Sequence, residues 1–312
     1  MTSTAATAAA ASTRGPFRLA VAMLVVTTIT ILKGAMTTST GSGLAYPDWP
    51  LSDGELMPAS SYTTIPGFLE HFHRLFAASA GLIALALAIW LQAAGAARRV
   101  RVCAWAGGTM VLVQGVIGGT GVLAELPALS SVTHGTLAQL TLAMFAWIAY
   151  QLSDRYRATA PLPDVAPGAG RKLMLVALVV LVAQTVFGAI ARHTNSPHAL
   201  WTHVGNSFVV FLVGAIATAF AVGKLAEAPG IKGLSRSIVT LLIVQIALGF
   251  VVLVLRNPDG KRPENVEELG NAAIISVHVV LGALLTVLVA TLCAHVFRAT
   301  RRPAADPERE FE

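Results

Sequence analysis

The chain has 312 residues, of which 55% are hydrophobic and only 12% are charged, and its formal net charge is +6. A soluble domain of this length would need far more charge to cover its surface, so the composition excludes that class and indicates a polytopic membrane protein. The basic excess does not indicate nucleic-acid binding, because the basic residues concentrate in alternate loops between apolar stretches.

Eight apolar stretches are long enough to cross a bilayer as helices. In chain order they cover residues 17–36, 67–92, 102–123, 130–152, 172–192, 199–225, 234–255 and 270–297. Residues 1–16 are rich in alanine, threonine and serine and are predicted to form a disordered cytoplasmic tail, with a cleaved signal peptide as the less favoured alternative. The predicted fold class is therefore all-α integral membrane, with eight transmembrane helices.

The basic residues assign a side to each loop. Most of the 22 lysines and arginines lie in the tails and in the loops that follow even-numbered spans. The other side holds the remainder, namely Lys33, Arg74, Arg192, Arg256, Lys261 and Arg262. The positive-inside rule then predicts that both termini are cytoplasmic in a bacterial plasma membrane, or lie in the matrix of a mitochondrion. Two cysteines, Cys103 and Cys293, fall at predicted inner ends, so no disulfide is expected in an outer loop.

An internal repeat divides the chain into two halves. The odd-numbered spans share a pattern in which a glutamine, or a threonine in span one, precedes a glycine by four positions: Thr30-x-x-x-Gly34, Gln114-x-x-x-Gly118, Gln184-x-x-x-Gly188 and Gln245-x-x-x-Gly249. These glycines serve either close helix packing or the small-residue face of a haem site, and both alternatives stay open at this stage. A duplication predicts two pseudo-symmetric four-helix bundles, 17–157 and 172–298, with a cytoplasmic linker 158–171 and a cytoplasmic tail 299–312.

Four histidines occupy corresponding places early in the even-numbered spans: His73, His134, His203 and His278. Ionisable groups inside a membrane are costly, so such residues are functional candidates, and neutral imidazole is a good axial ligand for haem iron. Pairing within each half predicts two haem sites between facing helices of the bundles. For any single histidine, the alternative is a hydrogen-bonded group at a helix end. The other four, His71, His193, His198 and His295, are predicted to be structural or solvated.

The segment around the first histidine carries two further candidates. Glu70 precedes His73 by three residues and therefore shares a helix face with it. This carboxylate either acts on protons or serves only as a charge favoured by the helix dipole. Arg74 either pairs with Glu70 or reaches a haem propionate. The span ends Lys33, Arg192 and Arg256 are also propionate candidates, with contact to lipid headgroups as the alternative. No acid matches Glu70 in the second half, which suggests that one half performs chemistry and the other holds a permanent cofactor.

With the four histidines, the Glu70-x-x-His73-Arg74 segment and the loop Gly41-Ser42-Gly43-Leu44 to Pro47-Asp48-Trp49-Pro50 assembled, the chain resembles the haem A synthase (CtaA/COX15) family over all eight spans. The resemblance implies an enzyme that oxidises a methyl group of haem O to the formyl group of haem A for cytochrome oxidase, through hydroxylated intermediates and with electrons supplied from outside. It implies that His203 and His278 bind a resident haem b, that His73, His134 and Arg74 bind the substrate haem, and that Glu70 is catalytic.

The implied partners are haem O, membrane lipid, haem O synthase and cytochrome oxidase assembly factors, with a homo-oligomer left open. Many bacterial members carry a cysteine pair around the Pro-Asp-Trp-Pro segment, where this chain has Tyr46 before it and Leu51 and Ser52 after it. Oxidation in this chain therefore cannot depend on a thiol pair there. The competing hypotheses are a quinone-linked di-haem electron carrier and a transporter, but carriers usually place haems near opposite faces, whereas these histidines share one depth.

Overall fold

The computed structural model describes residues 2–162, 167–256 and 265–301. The described residues form ten helices and no named strand: α1 (Thr2–Ser39), α2 (Ser60–Thr63), α3 (Ile65–Ala93), α4 (Arg98–Leu123), α5 (Ala128–Leu152), α6 (Asp154–Ala158), α7 (Pro167–Thr194), α8 (Pro197–Lys224), α9 (Ile231–Leu255) and α10 (Val266–Ala299). Two of them, α2 and α6, are short connectors, and the other eight are long.

The eight long helices correspond to the eight predicted spans and confirm an all-α, multi-pass membrane protein. The shortest apolar segments have 25 residues, and at 1.5 Å per residue they exceed the roughly 30 Å of a hydrocarbon core. Helix α1 begins at Thr2, so the segment 1–16, expected to be a disordered tail, is helical from Thr2 onward. Alanine has the highest helix propensity of all residues, which explains why this polar, alanine-rich segment extends the first span.

The helices pack in two rings of the same order. In the first half, α1 contacts α3, α3 contacts α4, α4 contacts α5, and α5 returns to α1. In the second half, α7, α8, α9 and α10 repeat this order, and α10 returns to α7. The halves meet where α1 and α5 pack against α10 and where α5 packs against α7. This arrangement is compatible with the two pseudo-symmetric four-helix bundles that the repeat predicts.

Each ring has its own apolar core, and a small third cluster joins the halves. That third cluster is built on Ile31 of α1, Leu142 of α5 and Ala283 of α10. Lipid is as apolar as these side chains, so van der Waals packing and interhelical hydrogen bonds hold the helices together. One such bond lies at the end of the bundles opposite the four histidines, where the buried Tyr150 hydroxyl is 2.6 Å from His295 Nδ1. The structural role expected for His295 agrees with this contact.

The cysteines provide a test of membrane orientation. Both are free and half-buried, and Cys293 lies fifteen residues, or about 22 Å, along α10 from His278. Cys103 lies near the first turn of α4, at the same end of the protein as Cys293. Because the positive-inside rule predicts that this end is cytoplasmic, we expect a membrane-impermeant thiol reagent added to intact cells to label neither cysteine. The measurement is mass-shift labelling of the wild-type chain.

Inverted membrane vesicles serve as the control, because they should permit labelling of Cys103. A Cys103→Ser/Cys293→Ser variant should remain unlabelled in both preparations and should keep its activity. Strong labelling of either cysteine in intact cells would reverse the assigned orientation.

Candidate functional site

The four predicted histidines form two pairs, each inside one ring. His73 of α3 faces His134 of α5, with ring centres 6.3 Å apart and ring planes at 77°. His203 of α8 faces His278 of α10, with ring centres 6.4 Å apart and planes at 85°. The two helices that carry each pair are not neighbours in the ring order, so they lie diagonally across the bundle. The interior of each bundle therefore holds two facing imidazoles, and the distance between their ring centres is nearly the same in both bundles.

Each imidazole rests on the glycine of the repeat pattern. A Cβ atom added to any of these glycines would lie close to Cε1 of the histidine on the following span. The distances are 2.7 Å for Gly34 and His73, 3.0 Å for Gly118 and His134, 2.8 Å for Gly188 and His203, and 3.4 Å for Gly249 and His278. The missing side chain allows the ring to approach the helix backbone, which places the glycines at the histidine sites rather than in helix packing alone.

Backbone carbonyls one turn before the glycines set the tautomer of two histidines. His73 Nδ1 is 3.0 Å from the Thr30 carbonyl oxygen, and His203 Nδ1 is 3.0 Å from that of Gln184. A ring nitrogen facing a carbonyl must carry the proton, so Nε2 keeps its lone pair and can bind a metal. The glutamine amide then donates back, since Gln184 Nε2 is 3.0 Å from the His203 carbonyl oxygen. Gln245 makes the equivalent bond to His278, also at 3.0 Å.

The spacing of the imidazoles fits one metal ion between them. A metal–imidazole bond of roughly 2.0–2.1 Å, plus about 1.1 Å from nitrogen to ring centre, separates two ring centres across one ion by about 6.3 Å. Among the residues that the structure describes, no group of three or more His, Cys, Asp or Glu side chains is placed to hold a metal ion. Two imidazoles without further protein ligands fit haem iron, because the porphyrin supplies the remaining ligands. The residues present thus fit a bis-histidine haem in either half.

Glu70 and Arg74 fasten the first outer loop to α3. The Glu70 side chain is almost completely buried, and its Oε2 accepts a hydrogen bond from the Tyr46 backbone N–H at 3.1 Å. Arg74 forms an ion pair with Glu70 and also donates to the backbone carbonyls of Tyr46 and Asp48, at 3.0 Å and 2.8 Å. Of the two sequence alternatives for Arg74, the structure shows the pairing with Glu70. Its contact with a haem propionate stays a prediction.

The same loop is held at two further points. His71, expected to be structural, lies with Nδ1 3.0 Å from the Ser52 hydroxyl and Nε2 3.3 Å from the Met57 sulfur. Trp49 packs directly on Gly119 of α4. Gly119 follows the glycine that supports His134, so the loop crosses from α3 to the helix beside the first histidine pair. The residue pattern of the loop carried no signal for this contact with α4.

A turn within the loop is closed by Asp48. Its carboxylate accepts backbone N–H groups from Asp53 at 2.9 Å and Gly54 at 2.8 Å. Although desolvation alone would raise the pKa of Asp48, these hydrogen bonds and the charge of Arg74 together hold the pKa below its usual value. The carboxylate is therefore ionised at neutral pH, where it accepts both bonds.

Arg192 connects the two histidine sites. It lies one turn after Gly188 on α7, and Nη2 donates to the Ala35 carbonyl and to the Ser39 hydroxyl of α1, both at 2.8 Å. Ala35 follows Gly34, the glycine beneath His73. The guanidinium thus spans the gap between the halves instead of extending to lipid headgroups. The sequence pattern placed Arg192 at a span end but carried no signal for a partner in the other half.

Comparison with known proteins gives a family match over most of the chain. Residues 17–259 match the family model COX15-CtaA, described as cytochrome oxidase assembly protein. A curated "Heme A synthase" from Symbiobacterium thermophilum is 28% identical over 201 residues, which cover 62% of this chain and 65% of the relative. A second, from Rhizorhabdus wittichii, is 27% identical over 301 residues, which cover 75% of this chain and 84% of the relative. A third, from Bacillus licheniformis, is 27% identical over 187 residues, which cover 55% of this chain and 58% of the relative. The first and third alignments span less than two thirds of those relatives' lengths.

The glycine contacts predict a graded response to an added methyl group. Gly188→Ala places a Cβ atom 2.8 Å from His203 Cε1, closer than real contacts allow. The ring must shift and break its bond to Gln184, so this variant should lose any visible haem spectrum that depends on the second pair. Gly249→Ala meets His278 only at 3.4 Å and should keep that spectrum. Visible absorption of the purified proteins measures both.

Gly205→Ala is the matched control, because it lies on α8 near His203 and its added Cβ meets nothing within 4 Å. Alanine also favours a helix over glycine by about 1 kcal/mol, so the control should fold at least as well as the wild type. Equal loss of the spectrum in Gly188→Ala and Gly205→Ala would show that the glycine contact is not the cause.

Proposed function

This chain belongs to the COX15-CtaA family of cytochrome oxidase assembly proteins, and we propose that it is a membrane oxidoreductase that converts haem O to haem A. The observation that carries the proposal is the presence of two facing imidazole pairs. Among the residues that the structure describes, only the first pair lies next to a buried carboxylate on its own helix. Two equivalent cofactor sites would not need a carboxylate beside one of them. A substrate site and a resident cofactor site would need such a difference, because only the substrate site performs chemistry.

The proposal assigns the second pair, His203 and His278, to a resident haem b. When bound, this group supplies one-electron transfer. The protein fixes the His203 imidazole between the Gly188 backbone and the Gln184 carbonyl and keeps its Nε2 unprotonated. The connection between α7 and α8 is only two residues long, so this link cannot open and close over the pair. A short link beside the pair suits a group that stays bound.

The first pair, His73 and His134, is assigned to the substrate, haem O. The His73 ring is held by Gly34 and the Thr30 carbonyl in the same way as its counterpart in the second half. Here, however, a long loop connects α1 to α3 and extends to Trp49 on α4. A loop held by a few polar contacts can admit and then enclose a substrate, excluding water from the site.

Glu70 is assigned to proton handling during oxidation of the haem methyl group. Arg74 pairs with Oε1 and the Tyr46 N–H with Oε2, so the carboxylate is held in one position before substrate arrives. A preorganised carboxylate on the helix of a ligand histidine can accept a proton or stabilise positive charge as it develops. The conversion of methyl to formyl replaces two C–H bonds by a C=O bond, so an oxidant from outside the chain must take up the electrons and an oxygen atom must be added. We assign the Glu70 oxygens to accept the protons that are released.

A quinone-linked di-haem electron carrier is the second candidate, since the two imidazole pairs have nearly equal separations. Family membership and the Glu70–Arg74 pair beside one site favour the synthase. The proposed partners of the synthase are haem O, haem O synthase, cytochrome oxidase assembly factors, membrane lipid and a second copy of the chain. The proposed location is a bacterial plasma membrane with both termini in the cytoplasm.

The two histidine pairs should separate by function. His203→Ala and His278→Ala should lose the low-spin haem b spectrum, because each change removes one of the two imidazoles that would hold the haem. His73→Ala and His134→Ala should keep that spectrum and lose haem A formation. Visible spectra of the purified proteins, with chromatographic separation of extracted haems B, O and A, measure both effects.

His198→Ala is the control, since this histidine lies at the first turn of α8, outside both pairs. It should keep the spectrum and the activity. An unchanged spectrum in both His203→Ala and His278→Ala would refute the resident-haem assignment, and haem A formation by His134→Ala would refute the substrate assignment.

Glu70→Gln should stop turnover without unfolding the protein. Glutamine keeps the size of the side chain and can still accept the Tyr46 N–H, but it has no charge for proton handling or for Arg74. A catalytic general base typically contributes 100-fold to 10,000-fold, so haem A formation should fall by about that factor while resident haem b stays at the wild-type level. Extracted haems are quantified per mole of protein.

Asp48→Asn is the matched control, because it also removes a carboxylate that organises the first outer loop. If Glu70 serves only to fasten the loop, both variants should lose activity to a similar extent. Haem A formation by Glu70→Gln at the wild-type rate would exclude a catalytic role.

A further inference from the structure

A cluster of arginine and tyrosine side chains lies at the end of the bundles opposite the histidines. Tyr156, on the short helix α6, forms its centre. Arg99 of α4 donates to the Tyr156 hydroxyl, and its guanidinium carbon is 5.4 Å from the ring centre. Arg298, in the last turn of α10, places its guanidinium carbon 4.7 Å from the same ring centre. These three residues, named the Tyr156 cluster, join the first half of the protein to the second.

The Tyr156 cluster carries positive charge without a matching acid. Within the described ranges, the ion pairs are Arg74 with Glu70 and Arg157 with Asp154, and neither includes Arg99 or Arg298. The Arg298 Nε atom is buried and has no hydrogen-bond partner in that part of the chain. Two guanidinium groups beside one ring repel each other, although each is attracted to the ring itself. An anion that binds both would relieve this repulsion.

The surroundings of Arg99 are amphipathic. A shallow, widely open depression at the start of α4 is lined by Arg98, Arg99 and Val102. The Val102 side chain is 56% exposed and Trp105, three residues further along the helix, is 44% exposed. On a membrane-spanning helix, exposed apolar side chains face lipid, and residues three or four apart share a face. This face therefore presents two guanidinium groups at its end and an apolar strip below them.

We propose that the Tyr156 cluster, with Arg98, binds the phosphate of an acidic phospholipid whose acyl chains lie along Val102 and Trp105. The cluster stands where spans end, which is the depth of lipid headgroups, and acidic lipids attract basic residues there. A soluble phosphate would gain nothing from the apolar strip. The bound lipid links the two halves at this end, as Arg192 links them at the other. This site is independent of the proposed haem chemistry.

The test compares lipids on the full-length protein. Native mass spectrometry of the protein in neutral detergent should show tight retention of phosphatidylglycerol and weak retention of phosphatidylcholine. Arg99→Gln/Arg298→Gln should weaken phosphatidylglycerol binding by roughly 30-fold, which equals about 2 kcal/mol for two basic contacts. Lys232→Gln/Arg236→Gln is the matched control, because it removes two exposed basic residues from the first turns of α9. It should keep the preference.

Several outcomes would overturn the proposal. Equal weakening in the two double variants would indicate nonspecific attraction to basic residues. Displacement of the lipid by millimolar inorganic phosphate would assign the cluster to a soluble anion. The sequence after Arg302 contains Asp306, Glu308 and Glu310, and stronger lipid binding after deletion of 303–312 would assign the cluster to this acidic segment. If the Arg99→Gln/Arg298→Gln protein cannot be purified, Arg99→Gln alone must reduce the preference, since Arg99 is exposed.

Discussion

The contact on which both candidate sites depend is an imidazole resting on a glycine backbone inside a membrane bundle. A histidine there needs a hydrogen-bond acceptor for one nitrogen and space for the ring. The glycine provides the space, and for His73 and His203 the carbonyl one turn earlier provides the acceptor. Both requirements are met by main-chain groups of the preceding span. The ring position is therefore determined by how two adjacent helices pack, and the packing of each bundle is the condition for its histidine pair.

Duplication followed by unequal loops explains how two similar sites can differ in function. The rings have the same helix order, and their imidazole pairs differ by only 0.1 Å in separation. The two halves differ in the loops that connect their helices. Glu70, His71 and Arg74 anchor a long loop that reaches the helix beside the first pair, whereas α7 and α8 are joined by two residues. The bundle supplies the paired imidazoles, and under the proposed function the loop with its anchoring residues distinguishes a substrate site from a cofactor site.

The features predicted from sequence are those that depend on spacing along one chain segment. Hydropathy located the eight spans, and the repeat identified the histidines that the structure brings together as His73 with His134 and His203 with His278. Contacts to main-chain carbonyls were not predictable, because a carbonyl acceptor leaves no trace in residue identity. The bond from Arg192 to Ala35 and those from Arg74 to the loop are of this kind. The helical start of α1 was not predicted, because the polar composition of residues 1–16 indicates disorder even though alanine favours a helix.

The link between the halves through Arg192 has a consequence for tolerance to mutation. One of its bonds goes to the backbone of Ala35, so any residue that fits at position 35 preserves it. The other goes to the Ser39 hydroxyl, which also lies 3.1 Å from the Ser276 hydroxyl of α10. The Ser39 hydroxyl oxygen of α1 therefore contacts side chains of both α7 and α10 and connects three helices. Substitutions at position 35 leave the bond intact because it goes to the main chain. A substitution at position 39 disturbs α1, α7 and α10 together, although this position is far in sequence from the four paired histidines.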